Sequence, residues 1–204
     1  MNYSSKLIED AVNAFSSLPG IGKKTALRLT LQLLKREEPE VEQFAEAFIK
    51  LRRNMQYCNE CHNLSDSARC DICTNPARDN ATICVVADFR DVLAIESTAQ
   101  FKGKYHVLGG LISPMEGIAP SDLNIPSLIE RANNAAVQEI IMALAATMEG
   151  DTTNFFIYKK LKESGKKITV LSRGVSIGNE LEYTDEITLG KSILQRTPYE
   201  ISLK

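Results

Sequence analysis

The chain has 204 residues, 44% of them hydrophobic and 25% charged, and a formal net charge of −2. That length buries a real core in one domain or two small ones, and the balance is that of an ordinary soluble globular protein. No apolar run approaches a membrane span and the acidic start MNYSSKLIEDAVNAF has no secretory h-region, so a cytoplasmic protein is expected. The near-neutral total argues against indiscriminate nucleic-acid binding through one basic surface. Residues 1–36 nevertheless carry six Lys/Arg against two acids. Such a local basic module suits salt-sensitive phosphate binding, although charge alone favours the plainer reading of solvated helix faces.

Taken in chain order, residues up to about Met55 read as helical. Leu7, Ala11, Ala14 and Phe15 share one face at helical spacing, residues 26–34 repeat the pattern, and residues 41–51 form a third helix. Between the first two stands Leu18-Pro19-Gly20-Ile21-Gly22-Lys23-Lys24-Thr25-Ala26. Gly20 and Gly22 permit positive φ and a close backbone approach. The helix that starts after Gly22 offers free N–H groups and the positive end of its dipole to a phosphate oxygen. Lys23, Lys24 and Arg28 add charge there, in the pattern of a helix-hairpin-helix motif. Such contacts position DNA without reading its sequence. A plain Gly-containing turn is the alternative.

Cys58-x2-Cys61 and Cys70-x2-Cys73 follow, eight residues apart. Two such turns close a tetrahedron of thiolates around Zn²⁺ and leave no open position for water, which predicts a structural metal. A pair of redox dithiols is the other use of this spacing. Five cysteines in a cytosolic chain favour metal or chemistry over disulfides. His62 is surplus to a four-cysteine site, and Cys84 lies in an apolar run as a core thiol.

From there strand and helix signals alternate. Strands are expected at 83–87, 105–108, 139–144 and 167–171, with helices at 91–96, 123–134 and 152–164. The order predicts a mainly parallel α/β sheet with helices on both faces. Thr147-Met148-Glu149-Gly150-Asp151 follows a strand, where ligand sites of open sheets lie. Glu149 and Asp151 either hold Mg²⁺ together or complement a helix dipole. There is no G-x-x-x-x-G-K-[ST] loop for ATP hydrolysis, and neither His62 nor His106 sits in a catalytic motif.

The hairpin, the four-cysteine module and a V-V strand with T-x-E-G-D downstream occur together with Tyr105-His106-Val107-Leu108-Gly109-Gly110, Ile112-Ser113-Pro114-x-x-Gly117-Ile118-x-Pro120 and Ser172-Arg173-Gly174-Val175-Ser176-Ile177-Gly178-x-Glu180-Leu181-Glu182-Tyr183. In this combination the chain resembles the RecR family over essentially its whole length. The resemblance implies an α+β protein of several parts: a helical helix-hairpin-helix region at 1–55, a four-cysteine zinc module at 56–78, a Toprim domain at 79–172, and a C-terminal Walker-B-like segment and tail at 173–204. It implies a non-catalytic mediator of recombination in DNA repair, which binds DNA and RecO, with RecF in some bacteria, and promotes RecA loading on strands coated by single-strand-binding protein. A dimer or ring-like homotetramer is implied. The family's basic hairpin residues fall on Lys24 and Arg28, its zinc ligands on Cys58, Cys61, Cys70 and Cys73, and its Toprim acids, here expected to dock partners, on Glu149 and Asp151. One position departs: the family's glutamate after V-V is Ala87 here, with Asp88 next. Alanine transfers no proton, which weakens the alternative of a Mg²⁺-dependent Toprim nuclease and any tight Mg²⁺ site.

Overall fold

The computed structural model describes residues 3–176, 178, 180–196 and 198. They form two compact units, one ending at Met55 and one beginning at Gln56. In the first, α1 (Lys6–Ser16) packs against α2 (Lys23–Leu33), and α3 (Glu38–Asn54) follows. Val12 and Ala26 are fully buried, and Thr30 turns its hydroxyl onto the Ala26 carbonyl at 3.0 Å. That inward bond lets a polar side chain sit in a small core without a stranded donor.

The second unit opens with the cysteine module: β1 (Gln56–Tyr57) antiparallel to β2 (Leu64–Ser65), then the single turn α4 (Asp71–Thr74). A four-stranded parallel sheet follows, made of β3 (Thr82–Val86), β4 (Lys104–Val107), β5 (Glu139–Met142) and β6 (Lys167–Val170), in the order β4-β3-β5-β6. The crossovers are α5 (Phe89–Ser97), α6 (Ile125–Ala132) and α7 (Met148–Leu161), and α8 (Glu186–Leu194) comes last. Successive strand residues face opposite ways. Ile83 and Val85 therefore join Leu128, Ile140, Met142, Ile157 and Leu161 on one face, while Cys84 and Val86 meet Val92, Tyr105 and Val107 on the other. Burial on both faces is why β3 reads as an unbroken apolar run.

The helix expected at 152–164 begins instead at Met148. Thr147 supplies the reason: its hydroxyl oxygen accepts the Gly150 N–H at 3.2 Å as an N-cap. Glu149 and Asp151 consequently lie inside the first turn of α7 rather than ahead of it. Of the segment 172–183, Ile177 and Asn179 lie outside the described residues, as do residues 197 and 199–204 of the expected tail.

One ion pair ties α5 to the sheet. Arg78 Nη1 donates to Glu96 at 2.9 Å and to the carbonyls of Phe101 and Gly103, and Nη2 makes a second, short bond to Glu96. Tyr105 Oη adds a bond to the same carboxylate at 2.7 Å. The Arg78 guanidinium, then Tyr105, hold Glu96 below the usual carboxylate range against its burial. Arg78→Ala would leave Glu96 with one neutral donor. We expect a loss of about 3 kcal/mol in urea unfolding, within the range for breaking a partly buried pair.

Candidate nucleic-acid interface and metal centre

The turn between α1 and α2 is built as its glycines suggest. Gly20 sits at φ +80°, and Gly22 is the extended N-cap of α2 with no side-chain bond closing the helix end. The Ala26 N–H is the first in the helix to be satisfied, by the Gly22 carbonyl at 2.9 Å. No intrahelical acceptor precedes it, so the N–H groups of Lys23, Lys24 and Thr25 point out of the helix end. Lys23, Lys24 and Arg28 are all exposed. Lys24 and Arg28 are four residues apart on one helix and share a face. Two glycines, three free amides and three cations thus occupy one turn and the first turns of one helix.

The cysteine module gathers its four sulfurs as the spacing predicts. Among the described residues they form the one group of three or more metal-ligating side chains, with donor atoms all within 4.8 Å of one another. Cys61 and Cys70 Sγ stand 3.5 Å apart. Four sulfurs at about 2.3 Å from a tetrahedral Zn²⁺ would be separated by roughly 3.8 Å, a value between the 3.5 Å of that pair and the 4.8 Å that bounds the set, so the four can close on one ion. All four cysteines are buried. Burial pushes the Cys70 thiol up to about 11. Burial also raises Cys58, but the peptide N–H groups of Cys70, Cys61 and Glu60 outweigh it and bring that thiol down to about 7. A second buried thiolate is therefore costly until a cation shares the charge. That chemistry favours one metal bound by four thiolates.

The module docks on the sheet. The Cys61 carbonyl accepts the Val107 N–H at 2.8 Å. His62, at φ 60°, brings Nε2 within 2.8 Å of Ser127 Oγ and meets the His106 ring edge to face at 5.2 Å. Glu60, inside the first C-x-x-C, takes Arg69 at 2.6 Å, Lys104 at 3.2 Å and Arg131 at 3.7 Å. Sequence reading singles out none of these contacts, because Lys104 and Arg131 are 44 and 71 residues away along the chain.

The structure does not place the acids at the carboxyl ends of the strands as one cluster. Glu149 and Asp151 are two residues apart on α7 and so project about 200° from each other around the helix. Asp151 is bonded to Arg173, Nη1 at 3.3 Å and Nη2 closer, and that guanidinium holds its carboxyl below the usual range. Asp88 lies past the end of β3, where it caps α5 by accepting the Arg90 N–H at 2.7 Å and pairs with the Arg90 side chain. Ala87 is half-buried, its N–H donated to Asp91 at 3.0 Å. Asp88 and Asp151 are thus each already matched with an arginine.

Comparison with known proteins follows this order of parts. Models described as RecR helix-hairpin-helix, RecR four-cysteine zinc finger domain, Toprim domain and RecR C-terminal match residues 8–51, 55–75, 81–172 and 174–197 in turn. The recombination protein RecR of Flavobacterium johnsoniae is 57% identical over 204 residues, 100% of this chain and 99% of the relative. That of Bacteroides thetaiotaomicron is 56% identical over 195 residues, 96% of this chain and 95% of the relative. That of Porphyromonas gingivalis is 54% identical over 202 residues, 99% of this chain and 98% of the relative. At this identity and coverage, with all four parts matched in order and four cysteines positioned for one metal, the chain belongs to the RecR family of recombination proteins.

Proposed function

We propose that the chain is a non-catalytic mediator of recombinational repair in the cytoplasm, with DNA contacted through Lys23, Lys24, Arg28 and the backbone at Gly20 and Gly22. The observation that carries this is the exposed face shared by Lys24 and Arg28 beside the uncapped amides of α2. Few phosphate contacts from a chain of net charge −2 bind weakly, so the working form is a dimer or ring-like tetramer that repeats the hairpin and raises its effective concentration. RecO, and RecF in some bacteria, would dock on the Toprim acids Glu149 and Asp151, and the assembly would promote RecA loading on strands coated by single-strand-binding protein. The parts carrying these roles are residues 1–55, 56–78, 79–172 and 173–204. A Mg²⁺-dependent nuclease finds little support: Ala87 has no proton to transfer, and Asp88 and Asp151 are each engaged by an arginine.

Fluorescence anisotropy of labelled DNA over a salt series tests this, with and without RecO, after mass and zinc content have been checked. Wild type is expected to bind with an affinity that falls with salt. Lys24→Ala/Arg28→Ala is expected to bind at least about tenfold more weakly, with the salt slope reduced by about two. Equal binding by both proteins, or binding by neither even with RecO, would overturn the assignment of the hairpin.

A further inference from the structure

Four charged side chains converge where the cysteine module meets the sheet, and the function proposed above uses none of them. Glu60 Oε2 accepts two bonds from Arg69, at 2.6 and 3.1 Å. Its Oε1 lies 3.2 Å from Lys104 Nζ and 3.7 Å from Arg131 Nη2. The Lys104 and Arg131 side chains are only 13% and 16% exposed. One carboxylate therefore stands against two largely buried cations and a third at the rim, an excess that is costly away from water. On its own the excess would suggest an anion pocket. The metal centre removes it: a divalent ion held by four thiolates carries two negative charges, and Glu60 brings a third. Three negative charges then face three positive ones. The balance closes only in the loaded state.

The backbone gives a second, independent observation. β4 is the outer strand of the sheet, with β3 its one neighbour among the described residues. On its other side the Tyr105 carbonyl accepts from Arg131 Nη1 at 2.8 Å, and the Val107 N–H donates to the Cys61 carbonyl at 2.8 Å. The Val107 carbonyl accepts from Asn124 Nδ2 at 3.0 Å. An edge whose groups were left open would template pairing with another strand, and proteins cover such edges with loops or charge. Here the cover is a metal ligand's own carbonyl and one arm of the same charge cluster.

We propose that Glu60, Arg69, Lys104 and Arg131 are positioning residues of the metal centre, a charge-balancing latch through which the loaded module covers the outer edge of β4. Loss of metal releases Cys61 from Val107 and bares that edge, while β5 and β6, inside the sheet or beyond it, keep their pairing.

Hydrogen–deuterium exchange of the full chain tests this, zinc-loaded and after removal of zinc with a chelator, read on peptides covering 104–108 and 139–142. Protection at 104–108 is expected to fall on zinc removal at least about tenfold more than at 139–142, where the inner strand β5 shares only the general loss of stability. Equal loss in both peptides would make the metal a support of the whole sheet, and no loss in the first would separate module from edge. Either result overturns the latch. Should the metal-free chain precipitate, zinc-loaded Lys104→Met and Lys104→Arg decide the matter by competition against a chromogenic chelator. Lys104→Met is expected to hold zinc at least about tenfold more weakly, because it leaves Glu60 and the loaded centre one positive charge short, and Lys104→Arg to restore the affinity. Wild-type affinity in Lys104→Met, or a loss in both variants alike, rejects the charge-balancing role.

Discussion

Cys61→Ser is expected to strip the chain of its stoichiometric zinc and to unfold residues 56–75 while α1 and α2 stay folded. The module has almost no other source of order. Its strands are two residues long each and α4 is four. Its own buried cluster consists of the four cysteines, with Ile72 packed beside them. A structural zinc supplies on the order of 10 kcal/mol or more of binding free energy to such a segment, most of it consumed in folding the segment itself. The part felt by the rest of the second unit is the lost docking on β4 and α6: the Cys61–Val107 bond, the Glu60 cluster and the His62–Ser127 bond. We set that at about 4 kcal/mol, which for a chain of this size lowers Tm by roughly 8–16 °C. Metal analysis and differential scanning calorimetry of the variant check both halves. One zinc per chain retained by Cys61→Ser, or an unchanged Tm, would show that the sulfurs do not act as a set.

Gly150→Ala is expected to destabilise the second unit by about 2–4 kcal/mol, although alanine is the better helix former by about 1 kcal/mol. Gly150 is the third residue of α7 and is buried. A Cβ built there would lie 1.9 Å from the Ala145 carbonyl oxygen and 3.0 Å from its carbon. Both are backbone atoms, so no side chain can swing aside. The turn between β5 and α7 has to move, and with it the Thr147 cap and the placement of Glu149 and Asp151. Urea unfolding followed by fluorescence and by circular dichroism measures the loss. A Gly150→Ala chain as stable as wild type would mean that the turn yields freely. If the acids dock a partner as proposed, the same variant should weaken that partner while DNA binding through the hairpin persists. The glycine of T-x-E-G-D is therefore a packing requirement as much as a spacer between acids.

Much of the fold is legible in the sequence because its signals are local. Pro19-Gly20-Ile21-Gly22 interrupts two helical periodicities, and the structure has its turn there, Gly20 at φ +80°. β3 reads as a short apolar run because it is buried on both faces, whereas β6, Lys-Ile-Thr-Val at the far edge, is only partly covered. The start of α7 escapes the pattern for an equally local reason: Thr147 as a capping residue looks no different from a loop threonine until its hydroxyl finds the Gly150 N–H. The acids are harder. That Asp151 pairs with Arg173 follows from where the chain after β6 comes to rest, whereas Asp88 is taken up locally, by Arg90 and the first turn of α5 that it caps.

Residue type at short spacing is enough to specify the two-helix hairpin with its cations, the zinc set of two C-x-x-C turns, the alternation that makes a parallel sheet, and the family to which the order of these parts belongs. Which charges meet is a matter of packing in three dimensions. Glu60 reaches Lys104 and Arg131, and Cys61 reaches Val107, across chain separations for which no periodicity exists, since such contacts are set by the seating of the module on the edge of β4. Hydrogen bonds and ion pairs act over a few ångströms of space, and the chain brings those atoms together only after the sheet has buried its two faces.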